Sequence, residues 1–75
     1  MTLKTIRDLR DRAPFRPFDL HLAEGEVLTV PTPDHLFFVP ESIDVIVGLV
    51  EGGFRIVDTT QIVSAGRVRP RAKSH

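Results

Sequence analysis

Two glycine turns separate segments that alternate between apolar and polar residues, and this pattern restricts the chain to a small antiparallel β fold. The turns are Glu24-Gly25 and Glu51-Gly52-Gly53, where glycine supplies the positive φ angles that tight hairpins need. Before the first turn, the apolar side chains of residues 18–23 recur at every second position, as in a half-buried strand. We therefore expect two hairpins joined by a connector.

The N-terminal segment has the features of a short amphipathic helix. Thr2 is a good N-cap, and Leu3, Ile6 and Leu9 follow at a spacing that places them on one helical face. Pro14 then ends the helix. A helix this short is unstable alone, so we expect its apolar stripe to rest on the sheet.

The remaining elements follow from apolar periodicity and from the turn residues. The sequence predicts a helix at residues 3–12 and strands at residues 18–23, 26–30, 43–50, 54–58 and 62–68. Residues 43–50 carry apolar side chains on both faces, which indicates a central, strongly bent strand with Gly48 at the bend. In the connector 31–42, residues 33–37 fit a helical turn and residues 36–39 fit a short strand; we favour a turn followed by an extended piece.

Length and composition bound the stability of such a fold. The chain has 75 residues and no cysteine, which excludes disulfides and thiolate metal sites. We expect one domain over residues 1–70, followed by a mobile basic tail at 71–75. Because so short a chain buries a limited core, oligomerisation is the remaining way to gain stability.

Charge is distributed unevenly although the net charge is zero. Residues 1–16 hold five cations against two carboxylates, a net +3; residues 17–66 hold one against eight, a net −7; residues 67–75 hold four cations and no carboxylate. One interpretation is that the basic ends dock on the acidic body and maintain solubility. The other is a basic arm that binds polyanions.

The fold class that accommodates these elements is mainly β (α+β), with an N-terminal helix followed by a five-stranded, strongly bent antiparallel small barrel, Sm-like or SH3-like. The helix stripe, the strand and turn of residues 20–25 and the corner of residues 57–63 give the chain a layout that resembles the Sm-like fold, including the bacterial host-factor RNA chaperone. The resemblance implies rings in which strand four of one subunit pairs with strand five of the next. The residues at such an oligomer edge would be Val57, Val63 and Val68.

The chain also resembles a group of short bacterial proteins to which no activity is assigned. The shared pattern comprises Arg16-Pro17-Phe18, Ala23-Glu24-Gly25, Val30-Pro31 with Pro33, and Gly53-Phe54 with Ile56-Val57-Asp58. This resemblance implies a compact domain and no particular chemistry.

The residues with reactive side chains match no catalytic, cofactor or metal motif. His21, Ser42 and Ser64 have no motif spacing, and the glycines form neither a P-loop nor a dinucleotide fingerprint. We expect no enzyme activity and no cofactor. In the connector, His35 and an outward Phe37 are the expected ligand or partner contacts, because adjacent phenylalanines in an extended segment point to opposite sides.

Two functions remain as expectations. The first is a non-enzymatic interaction or oligomerisation module whose partner is a second copy or another protein, bound through exposed strand edges. The second is an Sm-like RNA- or DNA-binding protein whose basic C-terminal arm comprises Arg67, Arg69, Arg71 and Lys73. The apolar runs are too short for a membrane span or a signal peptide, so we expect a cytoplasmic protein and no membrane partner.

Overall fold

The computed structural model describes residues 1–68, which form one helix and six strands. The elements are α1 (Leu3–Asp11), β1 (Phe18–Leu22), β2 (Val27–Val30), β3 (Leu36–Phe38), β4 (Asp44–Gly48), β5 (Phe54–Asp58) and β6 (Ile62–Arg67). A 3-10 turn at Pro33–His35 precedes β3, and a second one at Thr59–Gln61 separates β5 from β6. The expected helix and strands are all present, with ends that differ by no more than two residues. The predicted domain end at residue 70 and the tail at 71–75 lie outside the described residues.

The expected α+β class is confirmed, but the strands number six instead of five, and the described residues form no closed barrel. The strands form two antiparallel sheets: a first sheet in the order β2-β1-β6 and a second sheet in the order β3-β4-β5. The sixth strand is β3, the extended piece expected after the turn of the connector. Pro31 and Pro33 lack a backbone N–H, so β2 cannot continue into β3 as one hydrogen-bonded strand.

The helix forms where its cap and apolar spacing place it. The Thr2 side chain accepts a hydrogen bond from the backbone N–H of Thr5 at 3.2 Å. Ile6 is completely buried, while Leu3 and Leu9 pack against the core from its margin. The expected docking of the helix stripe on the sheets is confirmed.

The core lies between the two sheets and under the helix. Its buried apolar residues are Ile6, Phe18, Leu20, Leu22, Leu28, Val30, Leu36, Val45, Val47, Val57 and Ile62. The strand β4 is central in its sheet, as expected. Ile43, one residue before β4, is 49% exposed, and its carbonyl accepts a hydrogen bond from the Thr59 backbone N–H at 3.2 Å.

Both glycine turns adopt the predicted backbone geometry. Gly25, Gly52 and Gly53 have φ angles of 103°, 108° and 81°. The hairpins are closed by Leu22 N–H donating to the Glu26 carbonyl at 2.8 Å and Leu49 N–H donating to the Gly53 carbonyl at 3.0 Å. Gly48 ends β4 instead of bending it internally.

Candidate functional site

The outward surface of the second sheet carries a row of apolar side chains. In the antiparallel register, Phe37 of β3 pairs with Ile46 of β4, and Ile46 pairs with Ile56 of β5. Phe54 lies one row away, opposite Gly48. Phe37 is 51% exposed, Phe54 62% and Ile56 60%. We call Phe37, Ile46, Phe54 and Ile56 the apolar face.

The expected contact residues His35 and Phe37 both border this surface. A Cβ built on Gly48 would lie 3.5 Å from Cδ2 of His35, so the imidazole sits beside the glycine. The His35 Nδ1 and Thr32 Oγ1 atoms are 2.9 Å apart, which fixes the ring at the end of the 3-10 turn. The structure therefore brings the two residues to one side of the second sheet, next to Phe54 and Ile46.

Two carboxylates close the opposite end of the apolar face. Asp44 of β4 and Asp58 of β5 are directly opposite in the register, an arrangement in which like charges repel. Asp58 accepts hydrogen bonds from Oγ1 and from the backbone N–H of Thr60, both at 2.8 Å. These bonds, the hydroxyl first, lower the pKa of Asp58.

The predicted oligomer edges are only partly available to a partner. Within residues 1–68, β5 is an outer strand of the second sheet and β6 is an outer strand of the first. Val63 is 62% exposed, at the irregularity where the register between β1 and β6 shifts. Val68 is half-buried. Val57 points inward and is 4% exposed, so its side chain is a core residue and not an edge contact.

Of the four predicted nucleic-acid contacts, Arg67 lies within the described residues 1–68. Arg67 lies at the end of β6, where it lines a cleft of about 340 Å³ together with Arg12 and Arg16. Arg69, Arg71 and Lys73 lie outside the described residues. Among the helical cations, the guanidinium carbons of Arg7 and Arg10 each lie 4.6 Å from the centre of the Phe38 ring.

The side chains considered for catalysis are not assembled into a reactive group. His21 of β1 is opposite Ser64 of β6, yet no hydrogen bond joins their side chains in the described part of the chain. The neighbouring Asp19 is buried and accepts a 2.6 Å hydrogen bond from the Thr29 hydroxyl. Over residues 1–68 no three histidine or carboxylate side chains converge as a metal site would require.

A cavity of about 550 Å³ between α1 and the loop after β3 also lacks convergent chemistry. Its polar lining consists of Arg7, Glu41 and Ser42. Arg7 stacks on Phe38, and the Ser42 hydroxyl accepts a hydrogen bond from the Asp44 backbone N–H at 3.0 Å. The cavity is therefore mainly a gap between packed elements.

Sequence reasoning missed three members of the apolar face. Ile46, Phe54 and Ile56 were not among the expected contact residues, although Phe54 and Ile56 alternate along a short strand. Apolar residues on both faces of β4 and β5 were the available signal. Only the register shows that Ile46 lies opposite Phe37 and connects it to Ile56 on the same face.

Comparison with protein-family models, with curated proteins and with solved structures gives no match. In the described part of the chain, α1 is too short and too polar to cross a membrane.

Proposed function

We propose that this protein is a non-enzymatic interaction module that self-associates through the apolar face of its second sheet. The observation that carries the proposal is the cross-strand row of Phe37, Ile46 and Ile56, flanked by Phe54, on an outward surface. Apolar side chains scattered singly on a surface are ordinary, but contiguous ones mark interaction sites.

The exposed apolar area of this face indicates how strong the self-association should be. Three large side chains that are about half exposed, together with the partly buried Ile46, present roughly 400 Å² of apolar area. Val50, in the hairpin between β4 and β5, is also 68% exposed. A pair of such faces buries roughly 800 Å², somewhat less than the roughly 1,000 Å² of stable specific interfaces, so we expect a weak, concentration-dependent dimer.

A second copy is the occupant that this surface fits best. A two-fold axis places the same patch on both subunits, so an apolar face meets an apolar face. With the strands antiparallel across the axis, the Asp44 and Asp58 carboxylates of the two copies lie at opposite ends of the interface. This orientation avoids a confrontation of four negative charges.

Edge pairing is the competing mode of association. The Sm-like resemblance implies a ring built from β5 and β6 edges, and β5 and β6 are outer strands in different sheets. The Sm-like arrangement would require β2 and β3 to act as one strand interrupted at the prolines, which would give the strand order β6-β1-β2/β3-β4-β5. In that mode Val63 would be buried between subunits and Ile56 would not.

Two matched substitutions separate the modes. Ile56 and Val63 are 60% and 62% exposed, so lysine at either position should leave the monomer folded. We expect Ile56→Lys to abolish dimers in sedimentation-velocity experiments over a concentration series, and Val63→Lys to leave them intact. A wild-type protein that stays monomeric at all concentrations, or a dimer broken by Val63→Lys alone, would overturn the proposal.

A further inference from the structure

Three arginines border one cleft at the end of the first sheet. Arg12 follows α1, Arg16 precedes β1, and Arg67 ends β6 opposite Phe18 of β1. The cleft has a volume of about 340 Å³, and its remaining lining consists of Leu9, Pro17, Phe18, Ala65 and Gly66. We call it the arginine cleft. All three arginines are exposed, so their guanidinium groups are accessible to a ligand.

The positive charge of the arginine cleft is not neutralised by the described part of the protein. Over residues 1–68 the ion pairs are Lys4 with Asp8, Arg10 with Asp11, and Arg55 with Glu24 and Glu26. None involves a cleft arginine. Asp11, which precedes Arg12 in the chain, is paired with Arg10, and Asp19 of β1 is buried and accepts a hydrogen bond from the Thr29 hydroxyl.

The other cations of the basic N-terminal segment have partners elsewhere. Arg7 and Arg10 lie against the Phe38 ring, and Lys4 is 3.0 Å from the Asp8 carboxylate. The structure thus distinguishes Arg12 and Arg16, which line the cleft, from the other cations of residues 1–16, which have partners elsewhere. The composition of the segment did not indicate this distinction.

The first sheet also separates its charges along its length. Arg16 and Arg67 lie at the end where β1 begins, whereas Glu24 and Glu26 lie at the hairpin after β1. Five residues of extended strand place these ends about 17 Å apart, more than a Debye length at ordinary salt. The acidic hairpin therefore does not cancel the potential of the arginine cleft.

We propose that the arginine cleft binds the phosphodiester backbone of a single nucleic-acid strand. Guanidinium groups bind phosphate oxygens through paired N–H donors, and three of them line one cleft of about 340 Å³. The chain continues past Val68 with Arg69, Arg71 and Lys73 and no carboxylate side chain, so the charge suits several successive phosphates better than one small anion.

Fluorescence anisotropy with a labelled oligothymidylate, titrated at salt concentrations from about 50 mM upward, tests this site. We expect Arg12→Gln, Arg16→Gln and Arg67→Gln each to weaken binding several-fold at the lowest salt. Each should also reduce the slope of log K against log salt by about 0.7, the value for one lost phosphate contact on a single strand.

Lys4→Gln is the charge-matched control, because Lys4 is already paired with Asp8 and does not line the cleft. Affinity and salt slope should be close to wild type in this variant. Equal losses in Lys4→Gln and in the arginine variants would indicate a general charge effect and overturn the proposal. Binding lost only on substitution of Arg69, Arg71 and Lys73 would also overturn it.

Two further binding measurements show which kind of phosphate compound the cleft binds. Excess inorganic phosphate should compete weakly, since one phosphate makes only part of the contacts of a strand. Vesicles containing phosphatidylserine should bind less than the oligonucleotide; binding to vesicles with none to the oligonucleotide would overturn the proposal. Sedimentation of each variant keeps this test separate from the self-association test, because the cleft arginines do not belong to the apolar face.

Discussion

Arg55 of β5 donates a hydrogen bond from Nη1 to Oε2 of Glu26 at 2.5 Å, and this contact links the second sheet to the first hairpin. The Arg55 Nη2 atom also lies 3.9 Å from Oε2 of Glu24. The hydrogen bond from Arg55 is the main reason that the pKa of Glu26 is lowered, and the same bond raises the pKa of Arg55. Arg55 is the only lysine or arginine in residues 17–66, and its side chain pairs with two of the eight carboxylates in that segment.

The lowered pKa of Glu26 makes part of the stability dependent on pH. A carboxyl whose pKa is lower in the folded state binds its proton more readily when unfolded, so its contribution is present above the unfolded pKa. That contribution is lost as the pH falls through the folded pKa. We expect Glu26→Gln to be less stable than wild type at neutral pH and to converge with it in acid.

Urea denaturation of both proteins at neutral pH and at successively lower pH measures this convergence. Glu51→Gln, in the exposed second hairpin, is the control and should follow the wild-type profile. A constant difference between Glu26→Gln and wild type at every pH would show that the substitution acts through packing instead.

Ile6→Ala should remove the contact that holds the helix on the sheets. Ile6 is completely buried, and removing a buried isoleucine side chain to Cβ costs about 2–5 kcal/mol through lost burial and a residual cavity. Leu3→Ala should cost clearly less, because Leu3 packs at the margin of the core. The free energies of unfolding from urea titrations check both values, and equal costs would contradict the docking geometry.

Gly25→Ala should destabilise the protein through backbone strain alone. Gly25 has a φ of 103°, and a Cβ added there meets no atom within 4 Å. An L-residue in the left-handed region costs about 1–2 kcal/mol. Gly66 also has open space at its Cβ position but no positive φ, so Gly66→Ala is the matched control and should be nearly neutral. Thermal unfolding of the two variants compares them, and equal midpoints would exclude strain as the cause.

Asp44→Asn should stabilise the second sheet. Asp44 lies opposite Asp58 in the β4–β5 register, and a like-charge cross-strand pair is unfavourable by about 0.2–1 kcal/mol. The stabilisation should shrink at high salt, because screening weakens the repulsion that the substitution removes. Denaturant titrations at low and high salt measure it; a gain that does not depend on salt would contradict an electrostatic origin. Replacing Asp58 instead would not isolate the charge repulsion, because Asp58 also accepts hydrogen bonds from Thr60.

Local chemistry allowed much of the fold to be predicted from the sequence. The cap at Thr2, the positive-φ glycines at Gly25 and Gly53, and the period-two alternation before Gly25 each act over a few residues. The turn at Pro33 and the extended piece after it were also predictable, because proline fixes φ and removes a donor over the same short range.

The candidate sites depended on contacts between residues distant in the chain. The exposure of Ile56 in one row with Ile46 and Phe37 follows from the register of three strands, and a shift of one residue would have turned these side chains inward. Arg12, Arg16 and Arg67 meet because β6 pairs with β1 beside the end of the helix. The sequence by itself determined the helix, the turns and the strands, since those depend on backbone preferences and local periodicity. Only the tertiary structure decided that the strands form two sheets instead of a closed barrel, and which apolar and basic side chains share a surface, because those outcomes depend on long-range pairing.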